Sequence, residues 1–393
     1  MAGCAPVELS HEKVSAPDLE PGKANVLWPV AWNGRPSVRC LVPTFGAGGS
    51  ERVCLRLCNA WAEAGHAVEA IIYGRHEAEF LGALDRRVRV VSLEVRRARE
   101  AFRPLVRHLR RSGPAPLLVF GFTQAMLLAI ASASRLVRHP LIYREGSLPK
   151  SNVPRSRWWL YRPVLRRFDA VVAQSDFAAA ELADLGVRGM QCHVISNPLP
   201  DDAWENGARS RPGTTLRFLA VGRLSPEKGF SRLIDAFAQG RACFPDAVLT
   251  ILGEGGQRAA LERQIAAAGL DACVRLAGFA PDVRRWLAQA DVVLASSVYE
   301  GQPNALMEAL AAGCRVVTID SGGGTREMMA RCGVAEFVVP AERFEENFGE
   351  TVAQALASPP SRWAEARDRL RAFAHVQVVQ QAYFTACASA RVP

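Results

Sequence analysis

Two glutamates eight positions apart, Glu300 and Glu308, flank the start of a predicted helix in the stretch Glu300-Gly-Gln-Pro-Asn-Ala-Leu-Met-Glu308-Ala-Leu-Ala-Ala-Gly313. Pro303 suits the first helical position, where its missing N–H costs nothing, and Gly313 suits the stop. Asn304 and Glu308 share one helix face, whereas Leu306 and Leu310 take roughly the opposite one and belong to a core. Residues 302 to 305 leave backbone N–H groups unpaired at a positive helix end, a setting for an anionic or hydroxyl-rich ligand. Glu308 lies about 7 Å further along the axis, at ~1.5 Å per residue, within reach of a sugar ring beyond a phosphate. Either glutamate alone is more simply a solvated side chain. The pairing with a strand-end loop, Pro303 and Gly313 raises the functional reading.

A second stretch, Gly222-Arg223-Leu-Ser-Pro-Glu-Lys228-Gly229, offers two cations five positions apart between a predicted strand and helix. Arginine forks onto a phosphate and lysine adds a point charge, so the pair suits a pyrophosphate; a capped turn with exposed charges is the competing reading. Gly46-Ala-Gly-Gly49 invites a dinucleotide site, but position 51 is Glu51 and the next strand runs into Tyr73-Gly-Arg75 without the required acid. A nicotinamide cofactor is therefore disfavoured, although the glycines still let backbone approach a ligand. The chain has no Asp-x-Asp and no His/Asp/Glu group at metal-ligand spacing, so no divalent metal is expected. The charge of a leaving diphosphate then falls to Arg223, Lys228 and helix N-termini.

These residues need a scaffold that brings strand ends together. Strands are predicted at Val38 to Pro43, Ala67 to Tyr73, Val88 to Ser92, Pro116 to Phe120, Pro140 to Tyr143, Ala170 to Ala173 and Cys192 to Ile195, with helical patterns between them. Turn-forming residues at 196–213 read as a linker, after which Leu216 to Val221, Ala247 to Leu252, Val274 to Leu276, Asp291 to Ala295, Arg315 to Ile319 and Phe337 to Val339 restart the alternation. The expected organisation is a loosely ordered extension at 1–36, a first Rossmann-like domain at 37–198, a linker at 199–213, a second Rossmann-like domain at 214–361, and helices at 362–393 packing back on the first domain. The fold class is α/β, two facing doubly wound domains with a cleft between them.

The 393 residues exceed what one core usually takes, and 49% apolar with 22% charged residues is a folded, globular composition. No run reaches the ~18 apolar residues of a spanning helix, and residues 1–35 lack the apolar core of a signal peptide. Ten scattered cysteines with no Cys-x-x-Cys suit reduced thiols in a cytoplasm; Cys54 and Cys58, one helical turn apart, suit core packing because no histidine cluster joins them. The net charge of +9 is uneven: ten arginines face three acids between Asp85 and Arg111, and Arg155, Arg157, Arg162, Arg166 and Arg167 surround Trp158, Trp159 and Tyr161. Such a surface suits anionic lipid headgroups or acidic glycans, placing the chain in the cytoplasm or peripherally on the inner membrane face; a merely solvated arginine face fits as well. No nucleic-acid-binding signature accompanies the charge.

Four motifs in order, Gly222 to Gly229, Leu252-Gly-Glu-Gly255, Ala277-Gly-Phe279 and Ser296 to Gly313, resemble the second domain of glycosyltransferase family 4, the retaining group 1 enzymes of GT-B fold. The likeness spans about residues 37 to 385 and is stronger in the second half. It implies that Arg223 and Lys228 hold the donor diphosphate, that Glu308 binds the ribose, and that Phe279 marks the nucleobase. It also implies that Glu300, with the run Gly301, Gln302, Pro303, Asn304, Ala305 and Leu306, positions the transferred sugar, and that Gly48 and Gly49 lie near the donor phosphate. Many members carry a histidine where this chain reads Leu141-Ile-Tyr-Arg144-Glu145, so Arg144 and Glu145 become the candidates for acceptor-side chemistry. The implied reaction moves a sugar from a nucleotide-diphosphate donor, a UDP-sugar first, to a glycan, lipid-linked or small-molecule hydroxyl, with retention and without a metal or other cofactor. A non-catalytic sugar-nucleotide-binding protein and a sugar-nucleotide 2-epimerase are the alternatives.

Overall fold

The computed structural model describes residues 25–28, 37–44, 48–73, 78–95, 97–187, 191–205 and 215–389. One sheet holds β1 (Asn25–Trp28), β2 (Val38–Val42), β3 (Val68–Ile72), β4 (Arg89–Ser92), β5 (Leu117–Phe120), β6 (Leu141–Arg144), β7 (Ala170–Ala173) and β8 (Gln191–Val194) in the order β1-β4-β3-β2-β5-β6-β7-β8. A second holds β9 (Arg217–Val221), β10 (Val248–Leu252), β11 (Val274–Gly278), β12 (Val292–Ala295), β13 (Arg315–Ile319) and β14 (Val338–Val339) in the order β11-β10-β9-β12-β13-β14. Every pairing is parallel except β1 with β4. Two open, Rossmann-like sheets with flanking helices are thus present, as the apolar runs require: β2, β3, β5, β6, β7 and β13 are buried at every position, the signature of strands covered on both faces.

Strand order reverses between β2 and β5 in one sheet and between β9 and β12 in the other. At such a switch point neighbouring connections leave on opposite faces and open a crevice at the carboxyl ends of the strands. The loops after β2, β9 and β12 begin there, and these loops carry Gly48, Arg223 and Glu300.

Several boundaries need correction. The extension at 1–36 contains β1, which pairs with β4; its remainder, Gly46 of the glycine loop and residues 206–214 of the linker lie outside the described residues. The start of the linker is not a free tether: Leu199 is buried, and Leu199 and Val376, where the chain crosses out of and back into the first domain, bond each other's backbone neighbourhood (Leu199 N to Ala374 O 2.8 Å, Val376 N to Leu199 O 2.9 Å). The C-terminal helices also divide. Helix Pro360–Ala374 puts Trp363, Ala366 and Leu370 into the second domain's core, and only helix Val376–Ser389 crosses to the first, where Tyr383 meets Trp61 edge to face. Periodicity reports that a helix has an apolar face, not which domain that face meets.

Candidate active site

Helix Asn304–Ala311 begins one residue later than expected, with Pro303 as its extended cap, and stops before Gly313 at φ 73°. Leu306, Met307 and Leu310 are buried, which turns Asn304 and Glu308 toward the cleft. Across from it, helix Gly49–Glu63 buries Val53, Cys54, Leu57, Cys58 and Trp61 and presents its glycine start to the same space. A Cβ on Gly49 would lie 3.3 Å from Nδ2 of Asn304, so the N-terminal ends of two helices from two domains converge. Their unpaired N–H groups add to one positive region.

The cleft between the sheets measures about 830 Å³, within the usual range for a small-ligand site. It is lined by Gly48, Gly49, Arg144, Glu145, Arg223, Lys228, Glu300, Gly301, Gln302, Pro303, Asn304, Ala305, Leu306 and Glu308. Phe279 stands apart, 48% exposed at an adjoining recess with Gly253, Glu254 and Val283 that shares Arg52, Gly222 and Arg223 with the main cleft. The candidate site residues named from the sequence thus line the main cleft, except Phe279 in the adjoining recess.

Their contacts assign different situations. Lys228 Nζ bonds Glu300 Oε1, which also accepts from Ser297 Oγ at 2.9 Å, so Glu300 is held in place. Lys228 sits there because Gly229, at φ 64°, ends the turn; a Cβ on Gly229 would meet the Ser296 carbonyl at 2.1 Å. Arg223 is exposed in the cleft. Glu308 is paired with Arg56 of the first domain at 2.6 Å.

On the opposite wall Arg144 is 1% exposed; its Nε donates to the Tyr383 hydroxyl at 3.1 Å and its Nη2 to Oδ1 of Asn197 at 2.6 Å. Asn197 in turn donates to Oε1 of Gln302 at 2.6 Å through its backbone and to Oδ1 of Asn304 at 2.8 Å through its side chain. Arg144 Nη1 and Ser147 Oγ, both at the cleft, are buried without a partner among the described residues, leaving two donors for a ligand oxygen. Glu145 is buried, and that burial pushes its carboxyl up to about 7 even though Tyr143 and Tyr161 hydroxyls and the Gly146 N–H donate to it.

Sequence reasoning missed Arg56, Gln174 and Asn197. The last two follow β7 and β8, and a polar residue just past the carboxyl end of a parallel strand was the available signal. Arg56, within a helix, gave none. The pair Cys54 and Cys58 also gains a member, Cys40 of β2, with the three buried sulfurs within 4.8 Å of one another. No described helix is long and apolar enough to cross a membrane.

Residues 215–358 match the family profile described as "Glycosyl transferases group 1", and residues 48–198 match "Glycosyl transferase 4-like domain". The lipopolysaccharide core biosynthesis glycosyltransferase LpsE of Rhizobium meliloti is 31% identical over 181 residues, 44% of this chain and 52% of that protein. A Campylobacter jejuni N-acetylgalactosamine-N,N'-diacetylbacillosaminyl-diphospho-undecaprenol 4-alpha-N-acetylgalactosaminyltransferase is 31% identical over 199 residues, 49% of this chain and 52% of that protein. The chain thus spans about half the length of these relatives. The crystal structure of Anabaena Alr3699/HepE in complex with UDP superposes with a TM-score of 0.74 at 19% identity, covering 90% of this chain and 100% of that one, which establishes the likeness of fold.

Proposed function

The chain belongs to the family 4, group 1 glycosyltransferases, and from that premise we propose that it transfers a hexose from a uridine diphosphate donor to a hydroxyl acceptor, with retention and without a metal. The observation that carries this reading is the meeting of the Arg223/Lys228 cation pair, the Glu300/Glu308 pair and two helix N-termini in one cleft.

In this reading Arg223 and Lys228 neutralise the diphosphate. The lysine ammonium has three N–H donors, so it can keep Glu300 and still bond a phosphate oxygen. Glu308 takes the ribose hydroxyls, the Phe279 recess takes the base, and the sugar lies against Glu300 and the run Gly301 to Leu306. The acceptor oxygen bonds C1 on the face from which the phosphate oxygen leaves; the diphosphate departs with the bonding pair and receives the acceptor proton. Arg144 Nη1 and Ser147 Oγ are placed to hold acceptor or phosphate oxygens. A covalent glutamyl intermediate is the other route to retention, but Lys228 and Ser297 both hold Oε1 of Glu300, which suits a binding role. Trapping a glycosyl ester on Glu300 with a slow donor would overturn the front-face route.

The UDP complex of the Anabaena protein supports the choice of uridine, and the names of the Rhizobium and Campylobacter proteins support an envelope glycan or lipid-linked acceptor. A lipid-linked acceptor would bring the protein to the cytoplasmic face of a membrane, where the basic helical stretch bearing Trp159, 71% exposed beside Arg155 and Arg157, would meet anionic headgroups. The deciding experiment is a thermal-shift panel of nucleotide sugars followed by a transfer or donor-hydrolysis assay. A true donor raises the melting temperature by mass action, and turnover should be lost in Lys228→Ala and Glu308→Ala. Tight donor binding with no turnover by the wild type would instead favour a non-catalytic sugar-nucleotide-binding protein, the reading prompted by Arg144-Glu145 in place of the family histidine.

A further inference from the structure

Helices Gly49–Glu63 and Asn304–Ala311 come from different domains and meet at their starts, Gly49 against Asn304. Further along, Arg56 Nη2 donates to Oε1 of Glu308 at 2.6 Å, and Arg56 Nη1 donates to the Pro198 carbonyl at 3.0 Å. Both side chains of the ion pair are only 15% exposed. Pro198 adjoins Asn197, whose side chain and backbone hold Asn304 and Gln302. One guanidinium therefore joins a first-domain helix, the crossing segment and the helix that carries Glu308.

We propose that Arg56 is a positioning residue that makes the grip of Glu308 on a nucleoside ribose depend on domain closure. The proposal rests on the donor-site reading of Glu308. A glutamate on a helix turns about three side-chain torsions, and in water its carboxylate samples several of them at an entropy cost to any ligand that must fix it. Arg56 fixes it beforehand. A charge-assisted bond to Oε1 orients the carboxylate. A carboxylate has about four lone-pair sites, so one guanidinium N–H leaves room for the two neighbouring hydroxyls of a ribose.

Arg56 and Glu308 belong to different domains, so separating the domains parts them and returns the carboxylate to solvent. The oriented carboxylate exists only in the closed cleft. A ligand that uses it binds the closed state better and shifts the population toward closure by that difference in affinity. A ligand lacking the hydroxyls gains nothing from Arg56.

The test is calorimetric binding of UDP and of 2′,3′-dideoxy-UDP to wild type, Arg56→Ala, Arg56→Lys and Glu308→Ala, with the matched GDP pair in parallel to read a guanosine preference. Arg56→Ala should weaken binding of the ribose-containing ligand about tenfold, within the usual range of coupling between sites. It should leave the dideoxy ligand within about twofold, which also shows that the variant is folded. Arg56→Lys should restore part of the loss, because it returns the charge without the second bond to Pro198. Should Arg56→Ala fail to fold, Arg56→Lys carries the test: a partial loss confined to the ribose ligand supports the proposal, and no loss overturns it. Unchanged or tighter UDP binding in Arg56→Ala would show that the ion pair competes with the ribose; equal losses for both ligands would show a general structural role. Either overturns the proposal while leaving the donor site standing, provided Glu308→Ala no longer discriminates the two ligands. A wild type that binds neither UDP nor GDP overturns the donor-site reading and this proposal together.

Discussion

The Tyr143 hydroxyl donates to Oε2 of Glu145 at 2.9 Å, from a residue two positions earlier on the same strand end, and the Tyr161 hydroxyl reaches that oxygen at 3.3 Å. Both phenols stay protonated, because burial and the neighbouring carboxylate push them upward. They stabilise a charged Glu145, yet burial outweighs them and leaves the carboxyl at about 7. The raised carboxyl of Glu145 thus lies on the first-domain wall of the cleft, next to the Arg144 guanidinium.

That shift makes a stability prediction. The folded value lies above the ordinary 4.5, so between the two the folded chain holds more protons than the unfolded one and stability falls as pH rises. Glu145→Gln removes that slope. Relative to wild type, the variant should gain on the order of 3 kcal/mol between pH 5 and pH 8, measured by urea unfolding at both values. A constant difference across the window would mean that Glu145 does not titrate there.

Removing Lys228 should be felt in chemistry more than in binding. Its ammonium holds Glu300 and faces the space assigned to the leaving diphosphate, where charge builds as the sugar–phosphate bond breaks. Lys228→Ala should lower kcat by about 10²- to 10³-fold, with a smaller rise in donor KM. Steady-state rates of nucleoside diphosphate release give both numbers, and a change in KM alone would reassign the lysine to ground-state binding.

Two glycines three positions apart in the loop after β10 should respond differently to the same substitution. Gly253 adopts φ 142°, and a Cβ there would lie 1.8 Å from the Gly222 carbonyl, a backbone atom that cannot swing away; Gly256 has open space around it. Gly253→Ala should cost more than about 3 kcal/mol or abolish folding, and Gly256→Ala should stay within about 1 kcal/mol. Denaturant midpoints of the pair measure this. Equal effects would mean that the Gly222-Arg223 loop yields.

The basic stretch can be tested without an acceptor. Trp159→Ala and Arg155→Ala/Arg157→Ala should each reduce sedimentation with phosphatidylserine-containing vesicles, about fivefold per lost arginine charge, and binding should fade as salt rises. Equal binding to neutral vesicles, or none to anionic ones, would return this surface to an ordinary solvated face.

Local patterns in the chain place the strands after β1, each to within about two residues, and many of the residues that line the cleft, though not Gln174 or Asn197. Both follow from local physics. A parallel strand must be apolar on both faces, and Gly229 and Gly313 supply backbone angles that side chains resist. Loops at carboxyl strand ends collect ligand groups wherever the strand order reverses. Tertiary structure alone decided the rest: that β1 joins β4, that the C-terminal helices part company between domains, and that Arg56 meets Glu308 from 252 positions away. Periodicity shows that a side chain leaves its helix on the polar face. What it then meets depends on how two separately folded cores dock, and no local pattern in the chain carries that information.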